Sequence, residues 1–170
     1  QALRVFQLDF DSDRLRELAT LHEDEAWSGR VPLSYYGASQ NMESLSIVRS
    51  CDGNLYVVDM PWGRIFRISP QGQWSLVVEY DGEPNGLKIH KDGRIFIADH
   101  RSGILLLDPK SGTVTPIVEG PPKERFKGTN DLVFAANGDL YFTDQGQTGL
   151  QDPTGRVYRL SPEGRLDMLL

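Results

Sequence analysis

Cysteine is almost missing from this sequence: Cys51 stands alone among 170 residues. No internal disulfide can form, and a thiolate metal site lacks its second ligand. Cys51 is read as a small half-buried residue. A basic patch is missing too, since lysine and arginine total 18 against 24 acidic residues and nowhere cluster, for a net charge of −6. The phosphate contacts of a nucleic-acid surface have no source here, and a small molecule or a metal ion suits the acidic balance better. There is no apolar run of bilayer length, and no basic stretch followed by an apolar one, so neither a membrane partner nor a signal peptide is read. The cytoplasm is the expected compartment, with a leader upstream of Gln1 left open. G-x-S-x-G, the P-loop, the dinucleotide-binding glycine pattern and the glycosylation sequon are all absent. Nucleophilic serine chemistry therefore has no support.

What is present is a repeat. With 39% hydrophobic and 25% charged residues the chain can bury one sizeable core. Three segments match: "DGNLYVVDMPWGRIFRISPQGQW", "DGRIFIADHRSGILLLDPKSGTV" and "NGDLYFTDQGQTGLQDPTGRVYRLSPEGRL". Their glycines Gly53, Gly93 and Gly138 are 40 and then 45 residues apart, and Asp59, Asp99 and Asp144 keep that spacing. Each unit divides into four short strands, in the second unit Leu87 to His90, Arg94 to Ala98, Ile104 to Leu107 and Thr113 to Val118. Asp-Gly or Asn-Gly joins the first two strands, which predicts a type I′ turn. Apolar runs such as Leu55 to Val58 and Ile104 to Leu107 predict sheets covered on both faces, and Pro116 assigns the fourth strand to an outer edge. Four-stranded sheets repeating at about 40–45 residues predict an all-β fold, a β-propeller. A β-sandwich is the alternative, but it does not require the repeat.

A chain of this length holds about three to four such blades, fewer than a closed ring commonly has. It stops at Leu170 inside a strand, so we expect a fragment with exposed sheet edges and no activity of its own. Blades are assigned to residues 42–170. Residues 1–41 are read as a strand plus a connection, a possible part of the closing blade. "ALRVFQLDF" reads as the strand, whereas "DRLRELATLHEDEAW" has some helical spacing and reads as a connection or short helix.

Strand alternation puts the start of strand one, the loop between strands two and three and the exit of strand four on one face. That face carries the long segments Glu119 to Gly128 and Gln145 to Thr154, and long irregular loops favour function. Asn85 and Asn130 each lie 14 residues before the shared aspartate and open strand one. One reading makes Asn85-Gly86 and Asn130-Asp131 plain Asx turns feeding the strands. The other has their amide oxygens converge on the axis, where a hard divalent cation would bind. Asp59, Asp99 and Asp144 recur in every unit, which favours a structural role. His22, His90 and His100 show no ligand spacing and are read as surface or rim residues, with His100 on the functional side. Trp62 and Tyr35-Tyr36 could line a pocket mouth, or simply pack.

From Met42 onward the chain resembles the SMP-30/gluconolactonase/LRE-like family of six-bladed propellers. The resemblance rests on order: Glu43, then Pro84-Asn85-Gly86-Leu87, then Asn130-Asp131-Leu132 with Tyr141-Phe142-Thr143-Asp144, then Gly155-Arg156-Val157-Tyr158-Arg159-Leu160. It implies one catalytic divalent cation on the propeller axis, Ca²⁺ foremost, with Mg²⁺, Zn²⁺ or Mn²⁺ as alternatives. Glu43 and Asn130 match two of its ligands. The other two, and the general base, would lie beyond Leu170. Asn85 and Asp131, by this resemblance, and His100 and Gln145, by their place on the long-loop face, are assigned to substrate binding. Met42-Glu43-Ser44 stands where the family has E-G-P, and Gly128 stands where the sugar-lactonase branch has a substrate-contacting arginine. Sugar-lactone specificity is therefore not carried over.

The expected activity is metal-dependent hydrolysis of a lactone or related ester, a small-molecule substrate. Phosphotriester hydrolysis of the diisopropylfluorophosphatase kind is a variant on the same site. The contrasting reading is a non-enzymatic binding scaffold of the NHL-repeat kind, in which Glu43 and Asn130 are dispensable. Nothing in the sequence fixes the oligomeric state.

Overall fold

The computed structural model describes residues 2–9, 14–22, 46–146 and 148–170, the first two stretches by backbone alone. Glu43, Tyr35 and Tyr36 lie outside the described residues.

Three four-stranded antiparallel sheets follow one another in the chain. The first is β3 (Ile47–Arg49), β4 (Leu55–Asp59), β5 (Arg64–Ile68) and β6 (Trp74–Glu79). The second is β7 (Pro84–Ile89), β8 (Ile95–Asp99), β9 (Gly103–Asp108) and β10 (Thr113–Val118). The third is β11 (Thr129–Phe134), β12 (Leu140–Asp144), β13 (Arg156–Leu160) and β14 (Leu166–Met168). In each sheet spatial order equals chain order, the meander of a propeller blade. Strands β4 and β8 are buried along their whole length, as their apolar runs require. Pro116 sits in β10, an edge strand, and the register shifts just after it.

The core lies between the sheets. Tyr56, Val58 and Ile65 of the first pack on Leu87, Ile95, Ile97, Leu105 and Leu107 of the second. Phe96, Ala98 and Ile104 of the second meet Leu132, Leu140, Phe142, Tyr158 and Leu160 of the third. Phe126 joins that second cluster from the long loop, edge-on to Phe142 at 5.2 Å and to Tyr158 at 5.0 Å. Burying such a ring contributes about 1.5–3 kcal/mol, which anchors a loop otherwise made of Pro, Gly, Lys, Glu and Arg.

Four expectations need correction. The segment read as a connection or short helix contains a strand, β2 (Arg14–His22), which pairs antiparallel with β1 (Ala2–Asp9). An adjacent partner strand overrides weak helical spacing. The hairpins at Gly53, Gly93 and Gly138 are not type I′. Each glycine N–H closes a turn on the carbonyl three residues earlier, and only the glycine has positive φ. Type I′ needs positive φ at both central residues, whereas a tight turn ending on a left-handed glycine is the bulged hairpin. Cys51 is exposed, within the first of those turns. His90 is not a rim residue: its ring lies 4.8 Å from Phe134 of the next sheet and 6.2 Å from Phe96.

Candidate functional site

The first strands of neighbouring sheets meet where they begin. Gly86 in β7 lies against the backbone of β11 so closely that an added Cβ would stand 2.5 Å from the Asn130 carbonyl oxygen and 3.0 Å from the Asp131 Cα. Only glycine permits that approach, and it places Asn85 beside the Asn130-Asp131 step. Both asparagines are half-buried, and the Asn85 amide has no hydrogen-bond partner among the described residues.

Asn130 is oriented by Gln145. Its Nδ2 donates to Gln145 Oε1 at 2.6 Å, and its Oδ1 accepts from no described residue. Gln145 is held in turn, its N–H donating to the Gly128 carbonyl at 2.9 Å. An amide oxygen pre-aimed by a bond to its own nitrogen is a hard, neutral ligand, suited to a cation that prefers oxygen donors. Among the described residues there is no group of three or more His, Cys, Asp or Glu side chains able to hold a metal ion. Asp131 is exposed, and its Oδ1 accepts the N–H of Leu132 at 2.8 Å, which stabilises the bulge of β11.

The repeated aspartates fasten the connections. Asp99 is fully buried and accepts four hydrogen bonds. Its Oδ2 takes the Tyr80 hydroxyl and the Glu83 N–H, both at 2.8 Å, and its Oδ1 takes the N–H groups of Arg101 and Ser102. Burial and the adjacent Asp99 carboxylate push the Tyr80 hydroxyl far above the ordinary tyrosine range, so it stays a donor. Asp144 Oδ1 accepts from the backbone of Lys127 at 2.8 Å and Gly128 at 2.7 Å. Gly120 stands where the preceding repeat has Tyr80, and Asp144 Oδ2 is buried without a hydrogen-bond partner. Asp59 forms a buried ion pair with Arg64; burial raises its carboxyl above the usual range and Arg64 opposes that shift.

His100 lies in the β8–β9 loop and reaches across to the third sheet. A Cβ on Gly128 would stand 2.4 Å from its Cε1, so the imidazole rests on bare backbone. Beside it Thr129 Oγ1 donates to the Asp99 carbonyl at 2.5 Å, joining the second sheet to the third. The structure thus brings Asn85, Asn130, Asp131, His100 and Gln145 to one face around the start of β11. Trp62 is 47% exposed under the guanidinium of Arg64 and belongs to the β4–β5 turn of the first sheet. Gly86 and Gly128 were missed as site-forming positions. Their signal in the sequence is a glycine beside or near the asparagine that opens a strand, and for Gly128 also its place where the sugar-lactonase branch of the resembling family has a substrate-contacting arginine.

Residues 45–170 match the model of the SMP-30/Gluconolactonase/LRE-like region. The chain belongs to this family. Among curated SMP-30/gluconolactonase relatives, a gluconolactonase of Zymomonas mobilis is 37% identical over 94 residues, covering 50% of this chain and 26% of the relative. Lactonase drp35 of Staphylococcus aureus is 32% identical over 130 residues, covering 72% of this chain and 38% of the relative. The chain therefore spans well under half the length of both. Among solved structures, a gluconolactonase from Xanthomonas campestris superposes with TM-score 0.65 at 22% identity, over 74% of this chain and 46% of that one. A calcium-binding regucalcin from Agrobacterium tumefaciens gives TM-score 0.60 at 18% identity, over 74% and 42%. These likenesses confirm the propeller fold.

Proposed function

We propose that this chain carries part of the active site of a metal-dependent lactonase. The observation that carries the reading is Asn130, whose amide is fixed by Gln145 at the start of β11 while its oxygen accepts no hydrogen bond from the described residues. The relatives named gluconolactonase and lactonase, at 37% and 32% identity, support the reaction class.

Asn130 would hold the divalent cation together with Glu43. Such an ion, Ca²⁺ foremost, supplies a Lewis acid that polarises an ester carbonyl and acidifies water. Gln145 fixes the Asn130 amide through its nitrogen, which leaves the amide oxygen as the end able to serve as a ligand. Asn85, its amide uncommitted, borders the pocket and offers a donor and an acceptor to substrate oxygens. His100 and Asp131 line the remaining sides, and the segment from Gln145 to Thr154 forms the wall.

Calcium titration calorimetry on the full-length protein, beside Asn130→Ala, tests this, followed by a lactone hydrolysis screen of both. One ion bound by wild type, with binding and turnover lost in the variant, supports the reading. Equal binding by both and no hydrolysis by either would leave Asn130 as a turn residue in a binding scaffold.

A further inference from the structure

Three layers stand behind the proposed pocket. The Asp144 carboxylate is 1% exposed and grips the N–H groups of Lys127 and Gly128 through Oδ1 alone. Gly128 is buried and has φ of +153°. On its far side lies the His100 ring, with Cε1, Nδ1 and Nε2 at 2.4, 2.8 and 3.1 Å from where a Cβ would stand. The three nearest atoms all belong to that one ring. His100 Nδ1 is buried with no hydrogen-bond partner among the described residues, so no bond from Nδ1 fixes the ring. Its orientation comes from the flat seat beneath it.

We infer that Gly128, held in place by Asp144, is a specificity-determining position: by carrying no side chain it seats His100, and the seated imidazole contacts a hydroxyl of the lactone. This rests on the lactonase reading above. Gly128 lies two residues before Asn130 in the chain, and its carbonyl also accepts the N–H of Gln145, the residue that orients Asn130. One stretch of backbone therefore registers both the ring and the amide. A residue larger than glycine at 128 would move the ring off its seat while Asp144 still held the loop. With Nδ1 buried, Nε2 is the ring nitrogen left to meet a hydroxyl, as donor or acceptor according to the tautomer.

The test uses the full-length protein in two independent measurements. The first is a stability cycle of Gly128→Ala, His100→Ala and the double variant, read by chemical denaturation. Backbone strain at φ +153° penalises alanine in either background. The clash with the ring exists only when His100 is present, so Gly128→Ala should cost clearly less in the His100→Ala background. An equal cost in both backgrounds overturns the seat. The second measurement compares hydrolysis of a hydroxylated δ-lactone with that of δ-valerolactone, which has the same ring and no hydroxyl. His100→Ala should raise KM for the hydroxylated lactone about tenfold more than it raises KM for δ-valerolactone, and His100→Gln should recover part of that difference. An unchanged ratio of the two KM values overturns the contact. If wild type hydrolyses neither lactone while the stability coupling persists, the lactonase reading and the hydroxyl contact fall together, and the seat remains a feature of the fold.

Discussion

Gly86 and Asn130 meet backbone to backbone: a methyl group on the first would stand 2.5 Å from the carbonyl oxygen of the second. Gly86→Ala must push β7 away from β11. We expect a loss of about 1–3 kcal/mol in urea unfolding, in the range of an overpacked core. Because the added methyl presses on the Asn130 backbone itself, the proposed ligand shifts with β11 and calcium affinity should fall too. Wild-type stability together with wild-type affinity would show that the approach is not tight.

Gln145→Ala removes the partner of the Asn130 amide without touching the proposed ligand itself. Loss of an orienting neighbour typically lowers metal affinity by about 10–100-fold. Calcium calorimetry should therefore show weakened, not abolished, binding, in contrast to Asn130→Ala. An unchanged affinity would mean that the 2.6 Å bond does not position the oxygen.

Asp99 and Asp144 occupy equivalent repeat positions and carry different loads. Four donors depend on Asp99, and two on Asp144. Each buried donor left unsatisfied costs about 1–3 kcal/mol. Asp99→Ala should thus lower the denaturation midpoint more than Asp144→Ala, and the reverse ranking would contradict the bonding described here.

Acid should loosen the protein at its turns and at its last strand. The Arg94 side chain holds Asp92 below the usual carboxylate range, the Lys110 N–H and Ser111 hydroxyl do so for Asp108, and Arg165 with Arg159 do so for Asp167. A depressed folded-state value favours the fold while the group is ionised. That stability is complete above the unfolded value near 4 and is lost as pH falls below it. Asp59, raised by burial, acts in the opposite sense. Tm should stay level from about pH 7 to 5 and drop below about 4. Replacing Asp92, Asp108 and Asp167 by asparagine should flatten the drop.

The blades were legible because two local signals agree at each of them. Apolar runs such as Ile95 to Ala98 give buried strands, and glycines 40 and 45 residues apart mark the turns. Asn85 and Asn130 could be placed on one face from strand direction alone. The Asn130–Gln145 bond could not be read, since nothing local says which way an amide turns. Nor could the seat of His100 on Gly128, a contact between two sheets whose partners are 28 positions apart. β2 was misread because pairing with Ala2–Asp9 is a property of the partner and not of Arg14–His22 itself.

The wall beside Asn130 closes on itself. Thr148 donates to the Asp152 carbonyl and accepts the N–H groups of Thr154 and Gly155. Its tie to the site runs through its N–H to the Gln145 carbonyl. Such a segment behaves as a cassette: its tip, where Leu150 is fully exposed, can be rewritten without disturbing Asn130, Gln145 or the blade beneath. Under the proposed lactonase reading, new substrate preferences have a place to arise that leaves the proposed metal ligand and the core untouched.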